Sequence, residues 1–150
     1  MKVSTLGPKG TFCHETSLLF GADEILFKRS IWEVFNAVEK SECEGGVVPV
    51  ENSLVGGVSQ TLDSLIEFDL KVNKEYLLPI HHNLACWGEL EDIEVLYSHN
   101  LTLSQCEKFV RNYLPKVEIH ETSSNAISAV ELSNRKDNRY AALVSEFAAD

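Results

Sequence analysis

The segment D-L-K-V-N-K-E-Y-L-L-P-I-H-H-N-L-A-C, residues 69–86, decides the fold, because it interrupts a regular alternation of strands and helices. Its apolar and polar pattern predicts two extended stretches, residues 71–78 and 80–86, that follow each other with no helix between them. On both sides of this segment, each predicted strand is followed by a predicted helix.

The elements before the segment are predicted strands at residues 2–6, 24–28 and 46–50 and predicted helices at residues 11–20, 30–40 and 58–68. The elements after it are predicted strands at residues 94–97, 117–121 and 140–144, with helices at residues 102–113 and 124–132 and the first turn of another from Ser145. Such alternation is typical of βαβ units with parallel pairing, so the chain is predicted to be an α/β protein. The interruption predicts two lobes, residues 1–75 and 76–150, with parallel or mixed sheets and a ligand cleft between the lobes.

The amino-acid composition argues against several classes of function. The 150 residues carry a formal net charge of -10, and no cluster of Lys and Arg interrupts the acidic surplus, which argues against a nucleic-acid partner and against attachment to an anionic membrane. No apolar run is long enough for a membrane span, and the N-terminus shows no signal peptide. Four scattered cysteines without a C-x-x-C pair are typical of reduced thiols, which predicts a cytoplasmic protein.

Small and hydroxyl side chains gather where predicted strands give way to helices, at residues 7–11, 51–57, 98–105 and 122–125. The carboxyl ends of parallel strands are the edge where open α/β sheets bind ligands, and converging N–H and O–H donors there would suit an anion. Simpler interpretations remain open. Residues 7–10 could form only a tight turn, Thr102 and Gln105 a capping box, residues 122–124 a helix cap, and Glu51 a solvated or structural carboxylate.

Two further features are weaker indications of a functional site, one of a metal site and one of a reactive thiol. His81 and His82 are adjacent, but neighbouring residues of a strand point to opposite faces, so a metal site is disfavoured and none is predicted. Cys13 lies near a helix N-terminus, where the pKa of a thiol can fall, but no partner base is identifiable and an inert thiol is the preferred interpretation.

Taken together, the junctions resemble the catalytic domain of the prephenate dehydratase family. Residues 6–12, L-G-P-K-G-T-F, are similar to that family's opening motif, and residues 46–58, G-V-V-P-V-E-N-S-L-V-G-G-V, are similar to its longest and most specific block. Shorter similarities follow in the same order at Ser98-His99 with Gln105-Cys106, at residues 122–126 and at residues 141–145. The resemblance therefore covers the whole chain.

The chain also departs from the family pattern. Cys13 stands in place of a usual Ser, Asn100-Leu101 in place of Pro-Gln, and Thr122-Ser123 in the reverse order of the two hydroxyl residues. The family's T-R-F motif, whose Thr is held to be the catalytic acid, and its regulatory ACT domain both lie further towards the C-terminus. The first lobe is accordingly expected to lack its C-terminal return segment, and these residues alone are expected to be weakly active or inactive.

The resemblance implies a two-lobed fold like that of type II periplasmic binding proteins. It also implies decarboxylation and dehydration of prephenate to phenylpyruvate in phenylalanine biosynthesis, with no metal or organic cofactor and with a homodimer as the whole protein. The residues that it assigns to catalysis are Glu51, Asn52, Ser98 and Gln105, and those that it assigns to substrate binding are Thr11, Ser53, Gly57, His99, Thr122 and Ser123.

Neutral donors suit a dianionic substrate that must lose one of its charges, whereas an ionised Glu51 would be repelled by it. Glu51 is therefore expected either to be protonated near the ring hydroxyl or, as we favour, to turn away into the backbone. The alternative functions are an arogenate dehydratase and a carboxylate-binding sensor of the same fold without catalysis.

Overall fold

The computed structural model describes residues 1–53 and 56–149. The chain forms two compact units, the first from Met1 to Leu78 and the second beginning at Pro79, and each is described by itself. Both units combine helices with β-sheet, and the sheets include parallel and antiparallel pairs, so the prediction of an α/β fold with parallel or mixed sheets is confirmed. Leu54 and Val55 of the longest motif, and Asp150, lie outside the described residues.

The first unit follows the predicted order of elements as far as its last helix, with one short pair of strands added before that helix. Its elements are β1 (Lys2–Leu6), α1 (Phe12–Leu19), β2 (Glu24–Lys28), α2 (Ile31–Glu39), β3 (Gly45–Val47), β4 (Glu51–Asn52), β5 (Gly56–Gly57) and α3 (Ser59–Glu67). Strand β1 pairs in parallel with β2 on one side and with β3 on the other, and β4 pairs with β5 in an antiparallel arrangement.

Local sequence explains where the helices of the first unit begin. The Ser30 hydroxyl accepts a hydrogen bond from the Glu33 N–H at the start of α2, while the Glu33 carboxylate accepts from the Arg29 N–H. One face of α2 then buries Ile31 and Phe35 against Phe68, and the Phe35 and Phe68 rings lie 5.6 Å apart. This apolar cluster fixes α2 and the end of α3 to each other.

Two predicted strands of the first unit differ from the structure, one in its bounds and one in its existence. The strand predicted at residues 46–50 is the shorter, half-exposed β3, because Pro49 has no N–H to donate and the chain turns there towards α3. The strand predicted at residues 71–78 has no regular secondary structure. Its side chains are exposed almost throughout, and no strand in the described part of the chain pairs with it, so its backbone forms no ladder of hydrogen bonds there.

Gly46 lies where α2 crosses β3. A Cβ atom at this position would lie 2.9 Å from Cγ1 of buried Val34 and 3.2 Å from Cγ2 of Val38, and neither branched side chain can move away easily. We therefore expect Gly46→Ala to lower the free energy of unfolding by about 1–3 kcal/mol, measured by urea denaturation.

Gly45 provides the matched control, because a Cβ atom there would meet nothing within 4 Å. Gly45→Ala is expected to change the free energy of unfolding by less than about 0.5 kcal/mol. Equal effects of the two substitutions would show that the contact with α2 does not decide the choice of glycine at position 46.

The second unit contains β6 (His82–Cys86), a 3₁₀ turn (Leu90–Asp92), β7 (Val95–His99), α4 (Asn100–Tyr113), β8 (Glu118–Thr122), α5 (Asn125–Arg135), β9 (Tyr140–Ser145) and α6 (Glu146–Ala149). The strand order in its sheet is β6-β9-β7-β8. Strand β7 pairs in parallel with β8 and β9, and β6 pairs antiparallel to β9. His82, which begins β6, therefore lies at the edge where β9 ends, opposite Ser145.

Two apolar clusters cover the two faces of this sheet. On one face, Leu96 and Leu143 pack against Val110 and Leu114 of α4, and Leu103 and Cys106 of the same helix pack against this cluster. On the other face, Tyr97, Ala142 and Val144 pack against Leu132 of α5. Among the described residues, no helix is both long enough and apolar enough to cross a membrane.

Candidate functional site

The junction between β1 and α1 is stabilised mainly by its own hydrogen bonds. The Gly7 N–H donates to the Lys28 carbonyl, and the Gly10 N–H donates to Nδ1 of His14 at 3.1 Å. The Thr11 hydroxyl caps α1 by accepting from the His14 N–H, and it donates to the Pro8 carbonyl at 3.0 Å. These contacts favour the tight-turn interpretation of residues 7–10, and substrate binding by Thr11 stays a prediction.

The β4–β5 pair brings three predicted site residues together. Glu51 pairs with Gly57 and Asn52 pairs with Gly56, whose φ of +89° is a left-handed value that glycine adopts without strain. Asn52 is half-buried, whereas Glu51 and Ser53 are exposed. Within the described part of the chain, the Glu51 carboxylate accepts no hydrogen bond, so the interpretation that it turns into the backbone gains no support.

At the junction between β7 and α4, Ser98 is fully buried and its hydroxyl donates to the His99 carbonyl at 3.0 Å. The capping-box interpretation of Thr102 and Gln105 is wrong, because α4 begins two residues before Thr102 and His99 occupies the cap position. The Thr102 hydroxyl instead donates to Oδ1 of Asn125 at 2.7 Å, which joins the first turns of α4 and α5.

The junction between β8 and α5 lies directly beside this one, because His99 and Thr122 are paired across the two strands. The Ser124 hydroxyl caps α5 by accepting from the Ile127 N–H at 3.2 Å, and the Thr122 and Ser128 hydroxyls lie 2.6 Å apart. Ser123 is exposed, and its hydroxyl bonds to no residue in the described ranges. Helix capping therefore accounts for Ser124, and Ser123 remains available to a ligand.

A groove of about 420 Å³ runs along the α5 side of strand β8. It is lined by Tyr97, His120, Glu121, Thr122, Ser123, Ile127, Glu131 and Arg135. The Arg135 Nε–H donates to the Tyr97 hydroxyl at 3.0 Å, and the guanidinium lies 5.1 Å from the centre of the Tyr140 ring. Because Glu121 and Glu131 line the groove together with Arg135, the groove as a whole does not favour one sign of ligand charge.

The contact between His82 and Gln105 was not predicted from the sequence, in which His82 is a candidate only for metal binding. Nε2 of His82 lies 2.5 Å from Oε1 of Gln105, a residue that was predicted to be catalytic. The signal that could have found it is strand alternation, which places His82 on the same face as Leu84, and Leu84 packs against the α4 side of the sheet. Among the described residues, no group of three His, Cys, Asp or Glu could hold a metal ion.

The interpretation of Cys13 as a reactive thiol is not supported, because burial raises the pKa of Cys13 to about 11, and a hydrogen bond with Thr5 offsets only part of that rise. Since the thiolate is the reactive form, about a thousandth of Cys13 is reactive at about pH 8. We expect iodoacetamide to label exposed Cys86 at least about tenfold faster than Cys13 at that pH, with peptide mass spectrometry as the measurement.

The labelling of Cys13 should accelerate as the pH rises towards about 11, because the thiolate fraction grows through that range. Equal labelling rates at the two cysteines in native buffer would contradict this assignment. A denatured sample, in which both thiols are exposed, serves as the control.

A model of the prephenate dehydratase family matches residues 3–150. The bifunctional chorismate mutase/prephenate dehydratase of Aquifex aeolicus is 39% identical over 152 residues, which cover 99% of this chain and 41% of that protein. The prephenate dehydratase of Lactococcus lactis subsp. cremoris is 33% identical over 151 residues, which cover 99% of this chain and 54% of that protein. The crystal structure of prephenate dehydratase from Arthrobacter aurescens in complex with L-Phe superposes with a TM-score of 0.85 at 31% identity, over 99% of this chain and 51% of that one.

The fold thus defines an α/β protein in which polar residues lie where parallel strands give way to helices. This chain belongs to the prephenate dehydratase family, as the resemblance predicted. It spans about half the length of the curated relatives that it matches.

Proposed function

We propose that this chain takes part, within the whole protein, in the conversion of prephenate to phenylpyruvate. The observation that carries the proposal is the family match over residues 3–150, which includes the polar junction motifs. The described geometry supports it: His99 and Thr122 are paired at one end of the four-stranded sheet of the second unit, and Asn52 is held in the β4–β5 pair of the first unit opposite Gly56.

The reaction requires that the substrate be held in one orientation and that one proton be delivered to the leaving hydroxyl. The bond between the ring and its carboxylate breaks and releases CO₂, its electron pair enters the ring, and the bond from the opposite ring carbon to the hydroxyl breaks. The departing hydroxyl takes a proton and leaves as water, so the ring becomes aromatic and atoms and charge balance. The protein therefore contributes by aligning the two breaking bonds and by protonating the leaving oxygen.

Neutral donors are the proposed means of binding. Such groups hold carboxylates without adding a cation that would stabilise the carboxylate that must leave. In the first unit, the proposed substrate contacts are Asn52 and Ser53, with Thr11 and Gly57 as further binding residues. In the second unit they are Gln105, Thr122 and Ser123, with His99 as a further binding residue. Ser98 is fully buried and donates to the His99 carbonyl, so it is proposed to hold His99 in position. Glu51 is exposed, so it is able to reach a ligand, and we propose it as the first candidate among these residues for a proton donor.

The experiment that tests the proposal is an absorbance assay for phenylpyruvate with the full-length protein, prephenate as substrate and a chelator present. Rapid phenylpyruvate formation is the expected result. Arogenate, assayed in parallel, distinguishes the two dehydratase activities because it yields phenylalanine instead. Saturable binding of prephenate without any product would overturn the enzyme proposal in favour of a sensor.

The protein is further proposed to be cytoplasmic and to bind neither nucleic acid nor an anionic membrane. Scattered thiols favour the cytoplasm, and the net charge of -10 argues against nucleic acid and anionic membrane as partners. A homodimer is proposed for the whole protein, and light scattering of the full-length chain tests it.

A further inference from the structure

His82 and Gln105 form a hydrogen-bonded pair between the sheet and α4 of the second unit. Gln105 lies in the second turn of α4, and its Oε1 lies 2.5 Å from Nε2 of His82. Both side chains are half-buried, and a contact across 23 positions of sequence is set by the fold and not by a local turn.

Strand pairing places this pair at the end of the sheet where the candidate residues gather. Strand β6 runs antiparallel to β9, so His82 lies opposite Ser145 at the carboxyl end of β9. Strands β7 and β9 are parallel, and β7 ends at His99. His82 therefore lies at the edge where β7 and β9 end, although it begins its own strand, because β6 runs antiparallel to β9.

Strand alternation places His82 on the face of the sheet that packs against α4. Leu84, two residues further along β6 and on the same face, packs into the cluster formed by Leu96, Leu143 and the inner face of α4. Leu103 and Cys106, the neighbours of Gln105 on α4, pack against the same cluster. Both partners are thus held by elements that share one core.

The donor in this bond follows from elementary chemistry. An amide oxygen can only accept, so the hydrogen must be carried by Nε2 of His82. With Oε1 occupied, the Gln105 amide can rotate only by losing this bond, and its NH₂ group points away from the histidine. No acceptor for that NH₂ group occurs in the described part of the chain.

We propose that His82 is a positioning residue that fixes the Gln105 amide with its NH₂ group directed at an acceptor oxygen of the substrate. The inference rests on the proposed function only for the identity of that substrate. Without His82, the Gln105 side chain would populate several rotamers, and its amide could also rotate by 180°. In that rotated form its oxygen, which cannot donate a hydrogen bond, would face the anionic substrate. A preoriented donor avoids that ordering cost on binding.

A double-mutant cycle in the full-length protein tests the coupling. His82→Leu is expected to lower kcat/KM for prephenate about tenfold, whereas His82→Gln, which retains an N–H donor near the position of Nε2, should stay within about threefold of the wild type. In a Gln105→Ala background, His82→Leu should change kcat/KM less than about twofold, because there is no amide left to orient. His81→Leu, at an exposed neighbouring position, is the matched control and should have no effect.

A second measurement needs neither activity nor a destabilising variant. In a ¹⁵N-histidine-labelled full-length protein in alkaline buffer, the long-range ¹⁵N–¹H spectrum should show His82 protonated at Nε2, and the His82→Gln spectrum identifies its signals. A ring with its proton on Nδ1 alone would overturn the proposal, as would additive effects in the cycle. The wild-type protein could show the Nε2–H form and yet make no phenylpyruvate. That result would overturn the proposed substrate, whereas the hydrogen bond between His82 and Gln105 would be supported.

Discussion

Leu96→Ala should lower the free energy of unfolding by about 2–5 kcal/mol, which is a large share of the about 5–15 kcal/mol that stabilises an ordinary domain. Leu96 is 0% exposed in the middle of β7, between two paired strands. It packs against Leu143 on the sheet and against Val110 and Leu114 of α4, so truncation leaves a cavity that rigid neighbours cannot fill. Urea denaturation followed by circular dichroism is the measurement.

Ile119→Ala is the control for this substitution, because Ile119 is the residue paired with Leu96 on the neighbouring strand β8. Ile119 is 45% exposed on the edge of the sheet, so its truncation removes much less buried surface. We expect a loss below about 1 kcal/mol for it. Similar losses for the two substitutions would mean that the cluster around Leu96 is not the main core of the second unit.

The order of elements could be predicted from the sequence because the signals that define them are local. Strand β2 has the predicted bounds, and Ser30 and Ser124 cap the helices that they precede. The strand predicted at residues 71–78 failed for a nonlocal reason. No strand within residues 1–53 and 56–149 pairs with its β-forming residues, and Tyr76 contacts Phe20 of α1 edge to face at 6.0 Å instead.

The candidate site shows the same division between local and nonlocal information. Motifs located the junctions, since a strand end followed by small and hydroxyl residues is visible in the sequence. They could not reveal which polar atoms bond to one another. Thr102 and Gln105 have the spacing of a capping box, yet their partners are Asn125 and His82, both 23 positions away in sequence. Hydrogen-bond partners that come together only through the tertiary fold cannot be recognised from the spacing of neighbouring residues.

Asn52→Ala in the full-length protein should lower kcat/KM for prephenate at least about tenfold, which corresponds to about 1.4 kcal/mol of transition-state stabilisation. Asn52 is half-buried in β4, and the pairing of its backbone with Gly56 holds it in place after the side chain is removed. The fold should therefore survive, so circular dichroism and the urea midpoint should change little. Loss of activity would then reflect the lost amide.

Asn52→Asp sharpens this test, because it keeps the shape of the side chain and replaces a neutral donor with an anion that can only accept. Against a dianionic substrate this variant should be less active than Asn52→Ala, whereas a purely structural asparagine would tolerate the near-isosteric change better than the truncation. Asn134→Ala, at an exposed position in the last turn of α5, is the matched control and should retain full activity. If Asn52→Ala stays within about twofold of the wild type, Asn52 does not contact the substrate, and the motif that contains it serves the turn between β4 and β5.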